Sequence, residues 1–286
     1  MKVLFIGKCS PDYLCDSLIH GMYGLLGEEF THNKPYDLMY TGLASAEALS
    51  KRFTLWGDLP EYINDNDDIV KKIENHHYSL IIYGNPYYVT SDGGSCMDHF
   101  DLVGKHYSKS EVFFLDGEDA PDIHDTFGYP LFKRELQYDK SGVYPISFAI
   151  PISKITTVDT PKTKWLADYK PGMAYAYGTE EEYYHGYRES LYGLTHKKSG
   201  WDCMRHYEIL ANKCIPYFTD IRSCPSTTMV SFPKSIIMET NLLFDDHSAD
   251  LSDKLEQLFD HTRNHLTTIK LAEYILSTYT ALNTKP

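Results

Sequence analysis

The residues best equipped for chemistry lie in one stretch, Lys197-Lys198-Ser199-Gly200-Trp201-Asp202-Cys203-Met204-Arg205-His206-Tyr207-Glu208-Ile209-Leu210-Ala211-Asn212-Lys213-Cys214-Ile215-Pro216-Tyr217-Phe218. It reads as a loop with two lysines, a Ser-Gly helix start, a helix over 201–213 and a short buried strand. The first turn of a helix leaves backbone N–H groups unpaired and carries a partial positive charge, so it attracts anions. Arg205 adds a planar guanidinium that fits phosphate oxygens as a fork. Glu208, one turn on, adds a carboxylate able to accept two hydrogen bonds from a ribose diol. A nucleoside diphosphate needs that pair of groups. Spacing alone also permits a plainer reading, a salt pair on a solvated face. Asp202 could equally oppose the helix dipole, and Trp201 could stack on a base or sugar, or pack.

A second cluster, Asp116-Gly117-Glu118-Asp119, sets three acids within four residues after an apolar run. Crowded carboxylates raise one another's pKa, which suits a general base. Glu118 or Asp119 is the expected base, with Asp92 and Asp12 in reserve; Asp116 is the most turn-like of the acids. Such acids could also bind Mg²⁺, but the chain supplies its own cations, so no metal is expected. Lys133, Arg134, Lys197, Lys198 and Arg188 are further candidates for phosphate contact, against the alternative of solvated surface charge. Ser199 and Gly200 belong to the helix start. Tyr175, Tyr177 and Gly178 are expected at a strand end lining the donor pocket, and Asp12 and Tyr87 at an acceptor. His20, His99, His124 and His206 read as structural or surface histidines.

These groups need elements to position them. Val3 to Ile6 followed by Gly7, Ser79 to Tyr83 and Glu111 to Leu115 are short apolar runs between helical segments at about Asp16–Leu26 and Asp68–His76. That pattern predicts a parallel sheet covered on both faces, a doubly wound α/β fold with ligands at the carboxyl ends of its strands. Tyr36–Tyr40 is expected as a further strand and Tyr144–Pro151 as the edge strand. Residues 154–172 lack periodicity and read as a domain boundary. Beyond it come a strand at Met173–Gly178, a helix at Glu181–Tyr192, the stretch above, a strand at Ser235–Met238 and a helix at Leu251–Phe259. The last helix, about His265–Leu282, carries a one-sided apolar stripe.

The formal net charge of −13 argues against nucleic acid as a partner. Residues 1–150 hold 23 acidic and 12 basic side chains, a net of −11, and the remainder 17 and 15, a net of −2. A phosphate-bearing ligand suits the second half and a neutral, hydroxyl-rich one the first. The 24 tyrosines suit stacking on sugars or bases. Six cysteines without a C-x-x-C pair read as reduced thiols in a reducing compartment. The first apolar run is too short for a signal peptide, and no run approaches a membrane span, so a cytoplasmic location is expected.

Gly200 to Pro216 resembles the R-x-x-E-x-L-x-x-G-C-I-P type signature of exostosin-like glycosyltransferases, as found in large DNA viruses of algae, and among these the chlorovirus β-xylosyltransferase type. Cys224-Pro225, Thr227-Thr228, Phe232-Pro233-Lys234, Phe132-Lys133-Arg134-Glu135-Leu136 and Pro145 to Pro151 extend the resemblance over roughly 110–240. Lys213 stands where that family often has glycine. The resemblance implies a GT-B fold, two Rossmann-like domains facing a cleft: an acceptor domain over 1–153 plus a returning helix at 265–286, and a donor domain over 154–264. It implies metal-independent, inverting transfer of a sugar, xylose from UDP-xylose by this analogy, onto a glycan hydroxyl in capsid glycan synthesis in the host cytoplasm. Arg205 would hold the diphosphate and Glu208 the ribose. Two other classes stay open: a non-catalytic carbohydrate- or nucleotide-binding module with this fold, and another nucleotide-using α/β enzyme such as an epimerase or dehydrogenase. Gly7-Lys8-Cys9-Ser10-Pro11 lacks the G-x-G-x-x-G loop that a dehydrogenase uses.

Overall fold

Strand side chains alternate between two faces of a sheet, and here both faces are apolar. Val3, Phe5, Leu80, Ile82, Phe113, Leu115 and Phe132 enter one core. Leu4, Ile6, Ile81, Tyr83, Val112, Phe114 and Leu131 enter another. A sheet buried on both sides needs helices above and below, and its strands then run parallel.

The computed structural model describes residues 1–7, 12–34, 37–41, 43, 54–59, 67–88, 96–169, 171 and 177–284. The first part of the chain runs β1 (Val3–Ile6), α1 (Tyr13–Leu26), β2 (Phe30–His32), α2 (Ile69–Glu74), β3 (Leu80–Gly84), α3 (Phe100–His106), β4 (Val112–Asp116), β5 (Leu131–Lys133) and β6 (Val143–Pro145). The second runs β7 (Lys164–Leu166), α4 (Glu180–Arg188), β8 (Ser190–Thr195), α5 (Met204–Ala211), β9 (Ile215–Phe218), α6 (Lys234–Asn241), α7 (Ser252–His265) and α8 (Thr268–Asn283). Strands β2-β1-β3-β4-β5-β6 form one parallel sheet. Strands β7-β8-β9 form a second, also parallel. The fold is α/β and Rossmann-like. Helices α1 and α8 supply Leu14, Leu18, Met22, Leu271, Ala272 and Ile275 to the first core, which continues into the second sheet through Tyr192, Ile215 and Phe218. Helices α2 and α3 supply Ile73 and Val103 to the other face.

Several expectations change. The second strand is Phe30–His32; Asp37–Met39 form a 3-10 turn, and Tyr40 only bridges to Leu59. Lys164–Leu166, inside the expected boundary, is the edge strand of the second sheet, and its half-buried residues give no apolar run. The helix expected to Tyr192 stops at Arg188, and Ser190–Thr195 is the central strand of that sheet. Ser235–Met238 belongs to α6, which starts directly after Pro233. Of the edge strand expected at Tyr144–Pro151, only Tyr144 and Pro145 pair with β5, joined by Val143 before them, while Ile150 bridges to Thr267. Residues 173–176 of the strand expected at 173–178 lie outside the described residues. Cys15, Cys203, Cys214 and Cys224 are free thiols. Among the described residues no helix is long and apolar enough to cross a membrane.

The chain returns to the first sheet at its end. Thr267 caps α8, Ile150 and Thr267 bridge, and α8 lies along α1. A Cβ on Gly21 would sit 1.9 Å from the Thr268 carbonyl oxygen, so the two backbones touch there. One turn on, a Cβ on Gly24 would meet only the end of the Ile269 side chain. Gly21→Ala is expected to destabilise the fold by about 2 kcal/mol or more through overpacking, and Gly24→Ala by much less. Urea unfolding followed by circular dichroism compares them; equal effects would mean that α8 is not seated as described.

Candidate functional site

The carboxyl ends of the two sheets meet across a cleft, and the segments leaving them hold one another. Arg134, just past β5, is 1% exposed. Its Nε donates to the Gly117 carbonyl at 3.0 Å, and its Nη1 to the Glu135 carboxylate at 3.0 Å and the Asp202 carbonyl at 2.7 Å. Its Nη2 donates to the Asp119 carboxylate. Glu135 accepts from the backbone N–H groups of Trp201 and Asp202, each at 3.0 Å. Asp202 accepts from the Phe148 N–H at 2.6 Å and the Tyr207 hydroxyl at 2.8 Å. Gly200 has to be small: a Cβ there would lie 2.5 Å from Glu135 Oε1 and 2.9 Å from Asp119 Oδ1.

This clasp frames a cavity of about 230 Å³ lined by Tyr13, Asp119 and Phe148 on one side and Lys198, Ser199, Gly200, Asp202, Cys203, Met204, Arg205 and Glu208 on the other. The start of α5 opens into it, and the N-cap residue Cys203 makes no side-chain capping bond. Every residue of α5 is buried, so the helix has no solvated face. Arg205 is 5% exposed and Glu208 8%. Arg205 Nη2 donates to the Tyr169 hydroxyl at 3.0 Å, over whose ring the guanidinium also lies. Its Nε and Nη1 are buried with no hydrogen-bond partner, and it forms no ion pair among the described residues. The Glu208 carboxylate accepts from Thr54 Oγ1 at 2.5 Å and the Tyr183 hydroxyl at 2.8 Å.

Burial sets the protonation of these groups. It pushes the Asp202 carboxyl up to about 6, against the pull of Arg134 and the hydrogen bonds from Phe148 and Tyr207. It also raises the Glu208 carboxyl, against hydrogen bonds from Thr54 and Tyr183 and the Arg205 charge. His206 is fully buried, its Nε2 donating to the Trp201 carbonyl at 2.9 Å and its Nδ1 accepting from Thr195 Oγ1 at 2.9 Å. Burial lowers this imidazole to about 3. It ties β8, the loop and α5 together as a neutral ring, which fits the structural role expected for it.

Of the residues singled out from the sequence, the structure brings Asp119, Lys198, Ser199, Gly200, Asp202, Arg205 and Glu208 to one cavity. Others lie elsewhere. Lys133 is fully buried at the carboxyl end of β5, paired with Asp116 at 3.0 Å, and does not line the cavity. Arg134 lies at the clasp with its nitrogens already committed. Arg188 precedes β8, at the amino end of the second sheet, and pairs with Glu181; a six-residue strand separates it from the cavity, roughly 20 Å. Trp201 is buried, with Lys197 Nζ 5.1 Å from its ring centroid. Tyr177 packs against Tyr169 and Tyr183 behind Arg205, and the Gly178 N–H donates to Glu182. Glu118 faces His124 at 3.7 Å on the outer rim, and the Tyr87 hydroxyl donates to the Asp125 carbonyl beside it. Asp12 caps α1 with its carboxylate against Gly117. Asp92 and Tyr175 lie outside the described residues. Thr54, Tyr169 and Tyr183 escaped the sequence reading; only the tyrosine richness around 183–187 hinted at the last.

No protein-family model, no curated protein and no solved structure matches the chain.

The buried histidines carry a pH dependence. Burial lowers His32 to about 4 and His206 to about 3, whereas both take a proton near 6.5 when unfolded. The unfolded state therefore binds more protons below pH 6.5, and stability falls on acidification through that window. Asp202 acts in the opposite sense between 3.8 and about 6, because its folded form holds the proton more tightly. These three groups together contribute a loss on the order of 2 kcal/mol from pH 7 to pH 5, which the raised carboxyls of Asp16, Asp116 and Glu208 oppose. Urea midpoints across pH check this. The slope should flatten in His206→Gln, and an unchanged slope would remove His206 from the account.

Proposed function

We propose that the chain is a glycosyltransferase that binds a UDP-sugar at the start of α5 and transfers the sugar to a glycan hydroxyl. The observation that carries this reading is the Arg205 guanidinium, 5% exposed, in the cavity wall with two nitrogens unpartnered. A buried cation without a counter-charge is costly unless an anion completes it. A diphosphate supplies that anion, and the α5 backbone N–H groups and Lys198 add to its field. Glu208, three residues on, offers carboxylate oxygens to the ribose hydroxyls. Asp119 stands across the same cavity, its carboxylate oriented by Arg134, where it can take the proton of an acceptor hydroxyl as general base.

In this reading the chain adopts the GT-B arrangement: an acceptor domain over 1–153 with the returning helix at 265–286, and a donor domain over 154–264. The protein's own cations replace a metal in holding the diphosphate. Xylose as the sugar, inversion at its anomeric carbon, a capsid glycan acceptor and a cytoplasmic site of action belong to the resemblance to the exostosin-like viral enzymes. The opposed carboxyl edges and the helix running back along α1 support the two-domain arrangement.

Isothermal titration with UDP tests the donor site. Arg205→Ala is expected to bind at least about tenfold more weakly than the parent, from the loss of charged hydrogen bonds; unchanged affinity would move the diphosphate elsewhere. Asp119→Asn should keep UDP affinity within about twofold and lower transfer by about 10²–10⁴-fold, read as release of UDP with an acceptor glycan. A thermal-shift screen of UDP-, GDP- and CMP-sugars, with and without Mn²⁺, identifies the nucleotide and any metal requirement. UDP binding without turnover of any donor would favour a binding module instead.

A further inference from the structure

We infer that the groove between the loop at 230–233 and the helices α7 and α8 is a second ligand site, and that it takes an organic anion, an acidic group carried on an apolar body. It lies apart from the donor cavity, and nothing in it depends on what that cavity binds.

The open part of the groove holds about 860 Å³, within the roughly 300–1,000 Å³ usual for small-molecule sites. A smaller, more enclosed part of about 140 Å³ adjoins it. Val230, Ser231, His265, Lys270 and Tyr274 line both parts, so the two are continuous. The enclosed part is walled by Ile146, Phe148, Ala149 and Leu271, all of them buried. Such a wall favours an apolar group over water.

The open part is basic, in a chain whose formal net charge is −13. Lys234, His261, His265 and Lys270 line it against a single carboxylate, Glu273, which Lys270 Nζ already holds at 2.7 Å. Lys234 Nζ donates to the Pro225, Ser226 and Thr228 carbonyls at 2.9, 3.3 and 2.7 Å. It pairs with no carboxylate among the described residues, so its charge acts on the groove without being neutralised. His261 donates from Nε2 to the Ser231 carbonyl at 2.7 Å, and its ring centroid lies 4.7 Å from that of His265 one turn on. Cationic and N–H groups from α6, α7 and α8 thus converge where the two parts meet, which suits a charged oxygen acceptor. A neutral sugar fits less well. Its hydroxyls need carboxylate or amide acceptors, and the lining has no Asp, Asn or Gln and only the Glu273 already bonded to Lys270. Phe148 also lines the donor cavity, so the two sites share a wall and a probe must be followed at both.

Isothermal titration of the full chain with phenyl phosphate, inorganic phosphate and benzyl alcohol tests this. Phenyl phosphate should bind at least about tenfold more tightly than either of the others, because it alone engages both parts of the groove. Val230→Glu sets a negative charge where the parts meet, at a side chain 43% exposed, and should weaken phenyl phosphate at least about tenfold. The double variant His265→Ala/Lys270→Ala, both exposed, should do the same. Arg205→Ala should leave phenyl phosphate within about twofold of the parent, since it changes only the donor cavity. Thermal unfolding confirms that each variant folds. Phenyl phosphate that binds no more tightly than inorganic phosphate or benzyl alcohol, that fails to bind the parent, or that binds Val230→Glu and the double variant as it binds the parent overturns the inference. So does binding lost in Arg205→Ala, which would place the probe in the donor cavity. None of these outcomes alters UDP binding, and failure of UDP to bind leaves the groove standing.

Discussion

The Arg134 guanidinium is withdrawn from water on partners drawn from both sheets: the Gly117 carbonyl and Asp119 carboxylate after β4, the adjacent Glu135, and the Asp202 carbonyl before α5. Taking such an ion out of water costs several kcal/mol, and only good geometry with full hydrogen bonding offsets that cost. Each partner is thereby fixed in place. Glu135 in turn holds the Trp201 and Asp202 N–H groups, and Asp202 holds Phe148 and Tyr207. The Leu136 carbonyl accepts from the Thr227 and Thr228 hydroxyls at 2.7 and 2.6 Å. The distance between the two carboxyl edges, and with it the width of the cleft, follows from this network.

Arg134 and Arg205 present the same chemical group in two conditions. Both are nearly inaccessible to water. Arg134 has every nitrogen engaged and sits over the Phe148 ring at 4.6 Å; it needs nothing further. Arg205 has one tyrosine hydroxyl and a ring face, with Nε and Nη1 unused. A fully bonded buried arginine contributes to the architecture, whereas an under-bonded one stores affinity for an anion. The sequence offers no means of separating the two, since both lie in motif-like stretches beside acids. Only the partner inventory tells them apart.

What the sequence revealed depends on how local each signal is. β1, β3, β4 and β9 are short apolar runs bounded by turns, and α5 has strong periodicity, so they are legible residue by residue. β5 is three residues long and carries Lys133, whose burial makes sense only once the parallel register sets it opposite Asp116. β7 and the first half of β8 have no run of their own, and α4 passes into β8 with only Glu189 between them. Lys213 illustrates a signal readable in retrospect. It adopts φ 52° just past α5, where a helix end commonly takes glycine, and its side chain pairs with Glu256 and Asp159. The candidate site was legible on its α5 side because its groups are close in sequence. Its other wall, Tyr13, Asp119 and Phe148, is assembled from three distant segments and was named only through the acid cluster.

Cavity size and hydrogen-bond inventory bear on the same point from different directions. At about 230 Å³ the cavity beside Arg205 is below the roughly 300–1,000 Å³ usual for small-molecule sites. Of the nucleotide proposed above, it matches the diphosphate end better than the whole. Glu208, at its wall, accepts one hydrogen bond on each oxygen, from Thr54 and Tyr183, and each oxygen keeps a lone pair for another donor. Widening the cleft would break the buried hydrogen bonds that join its two sides, from Arg134 to the Asp202 carbonyl and from the Trp201 and Asp202 N–H groups to Glu135, so the clasp limits how far the two halves can part.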